Sequence, residues 1–314
     1  MALLSGLLVR VMVRIAVLDL PGQRSSHDRP TPKGGGVGVM VAFLLGSPPA
    51  LWLNAGTVPV SAWAILGAVA LLAVVSWLDD LRQFPPLVKL SAQAAAALVL
   101  AGIGPLPAHP LLGLAIDFGW LMLVTNAVNF IDGLNGLAAG SMALACLSVG
   151  LTAAGGPAGP LAWMLAAGLA GFLPFNYPRA RIFLGDVGSQ GAGLAVAAIG
   201  LLRWQEHTPW SVLVMPLLLG GILYDVGFTL CRRCLAGELP WQAHRGHLYQ
   251  VAFRSGMPAW QVALLHWGFV LWGGVLGLTL PAGPAAPVAL MLLPQLFWTG
   301  FVIRRARLAA IGRW

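Results

Sequence analysis

The feature that most restricts what this chain can become is a succession of eleven apolar runs. They lie at about residues 3–17, 37–53, 60–78, 90–106, 111–128, 137–153, 161–176, 188–202, 210–230, 260–280 and 285–303. A helix needs roughly 17–25 apolar residues to cross the hydrocarbon core, and it satisfies every backbone polar group within the segment. Charged residues are only 9% of the chain and mean hydropathy is +0.83, whereas a soluble domain carries about 25% charged residues. The expected fold is all-α, a polytopic membrane helix bundle of about 10–11 transmembrane helices. No compositional break divides the chain, so residues 1–314 read as one membrane domain. Its three cysteines are too few for a disulfide framework.

The first run is the weakest. Its 15 residues, Leu3–Val17, include Arg10 and Arg14 and reach only ~22 Å as a helix, short of a ~30 Å core. A charge at mid-membrane costs roughly 2.5–3.5 kcal/mol, so Arg10 needs a partner or a snorkelling route. No small-residue cleavage site precedes Pro21, which disfavours a signal peptide. This run is expected to be the remnant of a longer natural N-terminus.

The net charge of +8 is spread over several loops, which argues against a nucleic-acid partner. Alternating the loops across a membrane gathers fifteen of the eighteen Lys and Arg on one side, in loops 18–36, 79–89, 129–136, 177–187 and 231–259 and the tail after Ile303. Only Arg203 falls on the other side. The positive-inside rule then sets the N-terminus outside, the C-terminus inside and these loops in the cytoplasm. Eight of the ten acids fall at or near the same face. A secondary transporter would place its ionisable sites near the midplane, often within internal repeats; no repeat is evident here.

Four clusters on that face carry chemistry. Asn126, Asn129, Asp132 and Asn135 recur every third position, which on a helix makes one drifting polar stripe. Asp79 and Asp80 are adjacent at the end of the third run. Two carboxylates ~6 Å apart repel by roughly 3 kcal/mol at an effective dielectric of 20, so a basic residue such as Arg82 or Lys89, or a divalent metal, must relieve them. Asp186 lies between Gly185 and Gly188 just before an apolar run, fitting either a helix N-cap or a carboxylate beside a phosphate-binding turn. His244, Arg245 and His247 form a plausible diphosphate clamp. Cys231 and Cys234 upstream faintly resemble zinc ligands, but the spacers are too short for a finger, and no zinc is expected. Arg24, His27, Arg29 and Lys33, beside Gly34–Gly36, suit an anionic ligand or the anionic inner leaflet. His109, His207, His266 and Asp117 read as structural or interfacial.

Together, DLPGQRSSHDRPTPKGGG (19–36), DDLRQFPPLVKLSAQ (79–93), NAVNFIDGLNGLAAG (126–140), FLGDVGSQ (183–190), the lone Asp225 before Arg232–Arg233 and HRGHLYQ (244–250) resemble the polyprenyl-phosphate N-acetylhexosamine-1-phosphate transferases, integral membrane glycosyltransferases that load lipid carriers. The resemblance implies that a polyprenyl phosphate attacks the sugar-linked phosphate of a UDP-N-acetylhexosamine, giving polyprenyl-diphospho-sugar and UMP. It implies Mg²⁺, with Mn²⁺ as a substitute, a multi-pass place in the inner (plasma) membrane with the active site at the cytoplasmic face, and compatibility with a homodimer. Carried over, Asp79, Asp80, Lys89 and Asp186 are catalytic, and Asp186 and Asp132 are metal ligands. Asn129, Asp132, Asn135, His27, His244, Arg245 and His247 bind substrate. Asn135 stands where the murein-precursor branch usually has Asp, and His-x-x-His is closer to polysaccharide-initiating members. Both favour an N-acetylhexosamine such as GlcNAc over the muramoyl-pentapeptide donor.

Overall fold

The computed structural model describes residues 1–15, 17–19, 29–104, 109–153, 155–205, 210–239, 242 and 244–312. Arg24, His27 and Asp28 of the first loop, with Glu206 and His207, lie outside the described residues.

Each apolar run becomes helix. In order these are α1 (Ala2–Ile15), α2 (Gly36–Ala55), α3 (Val60–Arg82), α4 (Pro86–Leu100), α5 (Pro110–Ile131), α6 (Leu137–Thr152), α7 (Ala158–Asn176), α8 (Gly185–Trp204), α9 (Val214–Leu218), α10 (Gly220–Leu235), α11 (Leu248–Arg254), α12 (Ala259–Gly277) and α13 (Ala285–Leu308). Among the described residues seven are long and apolar enough to cross a membrane, and Ser211–Leu218 with α10, bent by 72°, is either a broken eighth span or a re-entrant loop. The protein is a polytopic, all-α membrane bundle. Its one described sheet is a two-residue antiparallel pair, β1 (Leu18–Asp19) with β2 (Thr31–Pro32).

The hub is α8, buried without interruption from Val187 to Arg203. Half of its 20 residues are Gly, Ala or Ser, and membrane helices associate through such residues because they let backbones meet closely. A Cβ on Gly36 would fall 2.2 Å from the Gly188 Cα, and one on Gly193 would fall 3.1 Å from the Thr125 Cα. Two bonds, Gly35 N to Phe183 O and Gly36 N to Leu184 O, then lock the start of α2 against the start of α8. That junction sets the glycine run of the first loop beside Asp186.

Two expectations need correction. The 210–230 run is not one straight span: the helix breaks at Leu219, where Gly220 and Gly221 follow. A close crossing fills this break, since a Cβ on Gly273 of α12 would meet the Leu217 carbonyl at 2.0 Å. The polar stripe is not wholly helical either. Asn126 and Asn129 lie on α5, but the chain leaves the helix at Asp132 and turns through Gly136 with φ of 74°, so Asp132 and Asn135 project from a loop. Arg10 has the partner it was expected to need. Its guanidinium sits 5.9 Å over the ring of Phe175, in the last turn of α7, a cation–π partner at the end of the bundle that bears the acidic loops.

Candidate active site

The C-terminal ends of α3 and α5 and the N-terminal ends of α4 and α8 meet at one end of the bundle. They surround an open cleft of about 460 Å³, lined by Asp79, Asp80, Lys89, Asn129, Asp132, Asn135 and Asp186, with Lys33 and Gln250. Eight residues singled out from sequence, Lys33 among them, therefore share one cavity.

The adjacent carboxylates of α3 are separated by their partners. Asp79, 5% exposed, accepts Phe84 N at 2.6 Å and Lys89 Nζ at 2.7 Å. The first bond becomes available because Gln83 ends α3 in the left-handed region, φ 54°. Asp80 instead takes Lys33 Nζ at 3.1 Å and faces Val187 N, in the first turn of α8, at 3.5 Å, where a helix N-terminus favours negative charge. Lys33 and Lys89, rather than Arg82, relieve the repulsion.

Asp186 does not cap α8. It sits inside the first turn, and the N-cap residue, Leu184, makes no side-chain capping bond. Its carboxylate accepts Lys89 Nζ at 2.5 Å, Asn129 Nδ2 at 3.1 Å and Gln190 Nε2 at 3.3 Å. Lys89 thus bridges Asp79 and Asp186. The Asp132 carboxyl is pushed well above the usual carboxylate range, first by burial and then by the charges of Asp186 and Asp80. The cleft holds more negative charge than its two lysines neutralise.

This bears on a divalent metal. Among the described residues no group of three or more His, Cys, Asp or Glu is gathered into a ready-made metal site. Mg²⁺, however, usually takes one or two carboxylates and completes its shell with water and substrate phosphates. Hard oxygen donors in a cleft with surplus negative charge fit that requirement.

The histidine loop lies beside the cleft, not in its lining. His247 is 4% exposed, and its Nδ1 is 3.0 Å from Asp225 of α10. Asp225 also accepts Leu248 N at 3.0 Å and Tyr249 N at 2.9 Å, so it caps α11 from a neighbouring helix. His244 accepts Gly246 N on Nδ1 at 3.2 Å, which places its own proton on Nε2. Burial, and then the charges of His247, Arg233 and Arg232, push its pKa down to about 4. None of His244, Arg245 and His247 lines the cleft, although Gln250, three residues beyond His247, does. Cys231 and Cys234 are exposed and free. Asp117 holds Gly102 N and Gly104 N at 3.0 Å each, and buried His266 bonds to Val262 O, both in keeping with structural roles.

Residues not anticipated from sequence complete the cleft. Asn176 ties its two loops together, accepting Gly136 N at 2.6 Å and donating to Ile182 O at 3.0 Å. Gln93 and Gln190 back Asp186 from the interior. A signal was available: each lies four residues after a cleft residue, Lys89 or Asp186, on the same face of an otherwise apolar helix. A second cleft of about 450 Å³ shares Gly133–Asn135 and Phe183 with the first and adds Arg29 and Arg179.

Comparison with known proteins gives this geometry its context. The profile of glycosyl transferase family 4 matches residues 62–203, from α3 to the end of α8. A decaprenyl-phosphate N-acetylglucosaminephosphotransferase of Mycobacterium leprae is 30% identical, the match covering 86% of this chain and 78% of the relative. A phospho-N-acetylmuramoyl-pentapeptide-transferase of Synechococcus is 35% identical over 72% of this chain and 73% of its own. An undecaprenyl-phosphate alpha-N-acetylglucosaminyl 1-phosphate transferase of Thermotoga maritima is 26% identical over 83% and 81%. With its acidic cleft built almost wholly from the matched segment, the chain belongs to glycosyl transferase family 4, among the polyprenyl-phosphate sugar-phosphate transferases.

Proposed function

We propose that the protein transfers an N-acetylhexosamine 1-phosphate from a UDP-sugar to a polyprenyl phosphate, releasing UMP and initiating synthesis of a cell-envelope polysaccharide. The observation that carries this reading is the convergence of Asp79, Asp80, Asp132 and Asp186 with Lys33 and Lys89 on one cleft of a membrane bundle. Joining two anions requires positioning and charge neutralisation more than covalent chemistry from the protein. An oxygen of the carrier phosphate forms a bond to the sugar-linked phosphorus, and the bridging oxygen departs with UMP. Lys33 and Lys89, held now by carboxylates, turn to the phosphates of the substrates. Asp79 and Asp80 keep those lysines aimed and screened from each other. Asp132 and Asp186 would hold Mg²⁺, which when bound neutralises diphosphate charge and stabilises the leaving UMP. Asn129 and Asn135 contact the donor, and the second cleft gives its nucleoside and sugar room beside Arg29 and Arg179.

On this reading the cleft faces the cytoplasm, where UDP-sugars are made, in an inner-membrane protein with its N-terminus outside and C-terminus inside. The single domain spans the whole chain. Purified protein, undecaprenyl phosphate, Mg²⁺ and a panel of UDP-GlcNAc, other UDP-N-acetylhexosamines and the UDP-muramoyl-pentapeptide test it through UMP release. UMP from the first two classes supports the proposal. Turnover of the pentapeptide donor alone moves the protein to the murein branch, and no UMP from any donor overturns the enzyme reading.

A further inference from the structure

Behind Asp186 the bundle interior holds a chain of carboxamides. Asn126 of α5 donates from Nδ2 to Gln93 Oε1 of α4 at 2.9 Å. Gln93 donates from Nε2 to Gln190 Oε1 of α8 at 3.1 Å, and Gln190 donates from Nε2 to Asp186 Oδ2 at 3.3 Å. Gln93 is 4% exposed and Gln190 1%. An amide inside an apolar bundle is costly unless paired, so three of them linked across three helices form a specified device and not a tolerated defect.

The chain has a direction, and its far end sets it. Asn126 Nδ2 also donates to Met122 O at 2.8 Å, and a backbone carbonyl can only accept. Asn126 therefore cannot rotate its amide without opposing two oxygens. With an N–H arriving from Asn126, Gln93 must accept with oxygen and donate with nitrogen, and Gln190 must do the same. The result is an N–H delivered to Asp186 Oδ2, the oxygen that also accepts Lys89 Nζ. Every group touching the Asp186 carboxylate (Lys89, Asn129, Gln190) is then a donor, so together they fix where its two oxygens point.

We propose that Gln93 is a positioning residue for Asp186: by holding Gln190 in the one amide orientation that presents N–H to Oδ2, it keeps that carboxylate aimed into the cleft. What Asp186 is aimed at rests on the proposed function; the coupling from Gln93 to Asp186 does not. Two substitutions separate positioning from packing. Met in Q93M conserves volume and suits an apolar interior but breaks both links, leaving Gln190 free to turn its oxygen toward Asp186. Glu in Q93E, protonated in this setting, can accept from Asn126 and donate to Gln190, restoring the direction.

The test uses the full-length protein in detergent with two readouts, steady-state UMP release and Mn²⁺ binding followed by electron paramagnetic resonance. Q93M is expected to keep the wild-type unfolding temperature within a few degrees and KM for the UDP-sugar within about threefold. Its kcat and its Mn²⁺ affinity should each fall by about tenfold or more, the usual scale for residues that orient a metal-binding carboxylate. Q93E should recover part of both losses. A packing role gives the reverse order, with Q93M near wild type and Q93E impaired, and that result overturns the proposal. So does Q93M with both readouts within twofold of wild type. If Q93M fails to accumulate, N126A, which frees the direction of the chain while sparing Gln93, must lower kcat or Mn²⁺ affinity by at least about threefold; no change rejects the coupling. If wild-type protein releases no UMP from any donor yet Q93M weakens Mn²⁺ binding, the proposed function fails and the coupling stands.

Discussion

Asp186 precedes one apolar run and Asp225 lies inside another, and the fold uses the two carboxylates in opposite ways. The partners of Asp186 are side chains, Lys89, Asn129 and Gln190, around a carboxylate that is 25% exposed. Asp225 is 1% exposed and is held by the backbone N–H groups of Leu248 and Tyr249 and by the His247 ring. A lysine can leave a carboxylate for an incoming phosphate while both stay solvated in an open cleft. A backbone N–H can leave only if α11 unwinds. The first region is arranged to exchange partners and the second to keep them, so chemistry and stability should separate between them.

The largest expected effect tests the exchanging side. Asp186→Asn should lower UMP release by at least about a hundredfold, as removal of a group that organises transition-state charge commonly does. Thermal unfolding should be unchanged or slightly raised, because the cleft carries surplus negative charge. Loss of folded protein in this variant would erase the distinction. On the other side, Asp225→Ala should destabilise the protein by about 3–5 kcal/mol, the scale for removing one member of a buried hydrogen-bonded pair. Thermal unfolding of the solubilised protein measures it. An unfolding temperature equal to wild type would mean that Asp225 does not anchor α11.

The sequence made the cleft legible and the anchor illegible for a physical reason. Adjacent Asp79 and Asp80, or Asp186 between glycines, are costly in a membrane protein unless they meet cations or ligands, so their presence points to a site. His244-Arg245-Gly-His247 looks equally purposeful, but whether a histidine faces a cleft or a buried carboxylate depends on where α10 runs. The 72° break between α9 and α10 is marked only by Pro216 and a glycine pair, in a chain with 23 prolines and 40 glycines. The helical stripe failed for a similar reason: periodicity of three continues through Asn135, although the chain has left the helix at Asp132. Helical existence and the end of the bundle bearing the cleft follow from apolar length and charge. The path of loops does not, because distant residues such as Asn176 decide it.

A smaller effect appears in pH dependence. The His244 ring is pushed down to about 4, first by burial and then by His247, Arg233 and Arg232, with Glu238 opposing. Between the ordinary histidine value of about 6.5 and that depressed value, the unfolded chain binds more protons than the folded one. Stability is therefore lost as pH falls through this window and is intact above it. His244→Gln should flatten the acid limb of a plot of unfolding temperature against pH and leave the limb above neutrality in place. An unaltered acid limb would place the sensitive group elsewhere.

The smallest effect probes the seam where the two regions touch. Tyr249, in the segment anchored by Asp225, donates its hydroxyl to Phe130 O at 2.9 Å, a carbonyl in the last turn of α5 with no helical partner ahead of it. The same hydroxyl occupies the space beside Gly133, where a Cβ would fall 2.2 Å away. Tyr249 thus props the loop that carries Asp132 without lining the cleft itself. Tyr249→Phe removes one hydrogen bond and keeps the ring, so it should cost about 1 kcal/mol in thermal stability. Because the ring still fills the space beside Gly133, turnover should stay within a fewfold of wild type. Gly133→Ala should do more than Tyr249→Phe, since its methyl must displace the ring and carry Asp132 with it. If Tyr249→Phe instead silences turnover as Asp186→Asn does, the hydroxyl acts within the chemistry, and the boundary between an exchanging cleft and a fixed anchor has to move to the far side of α11.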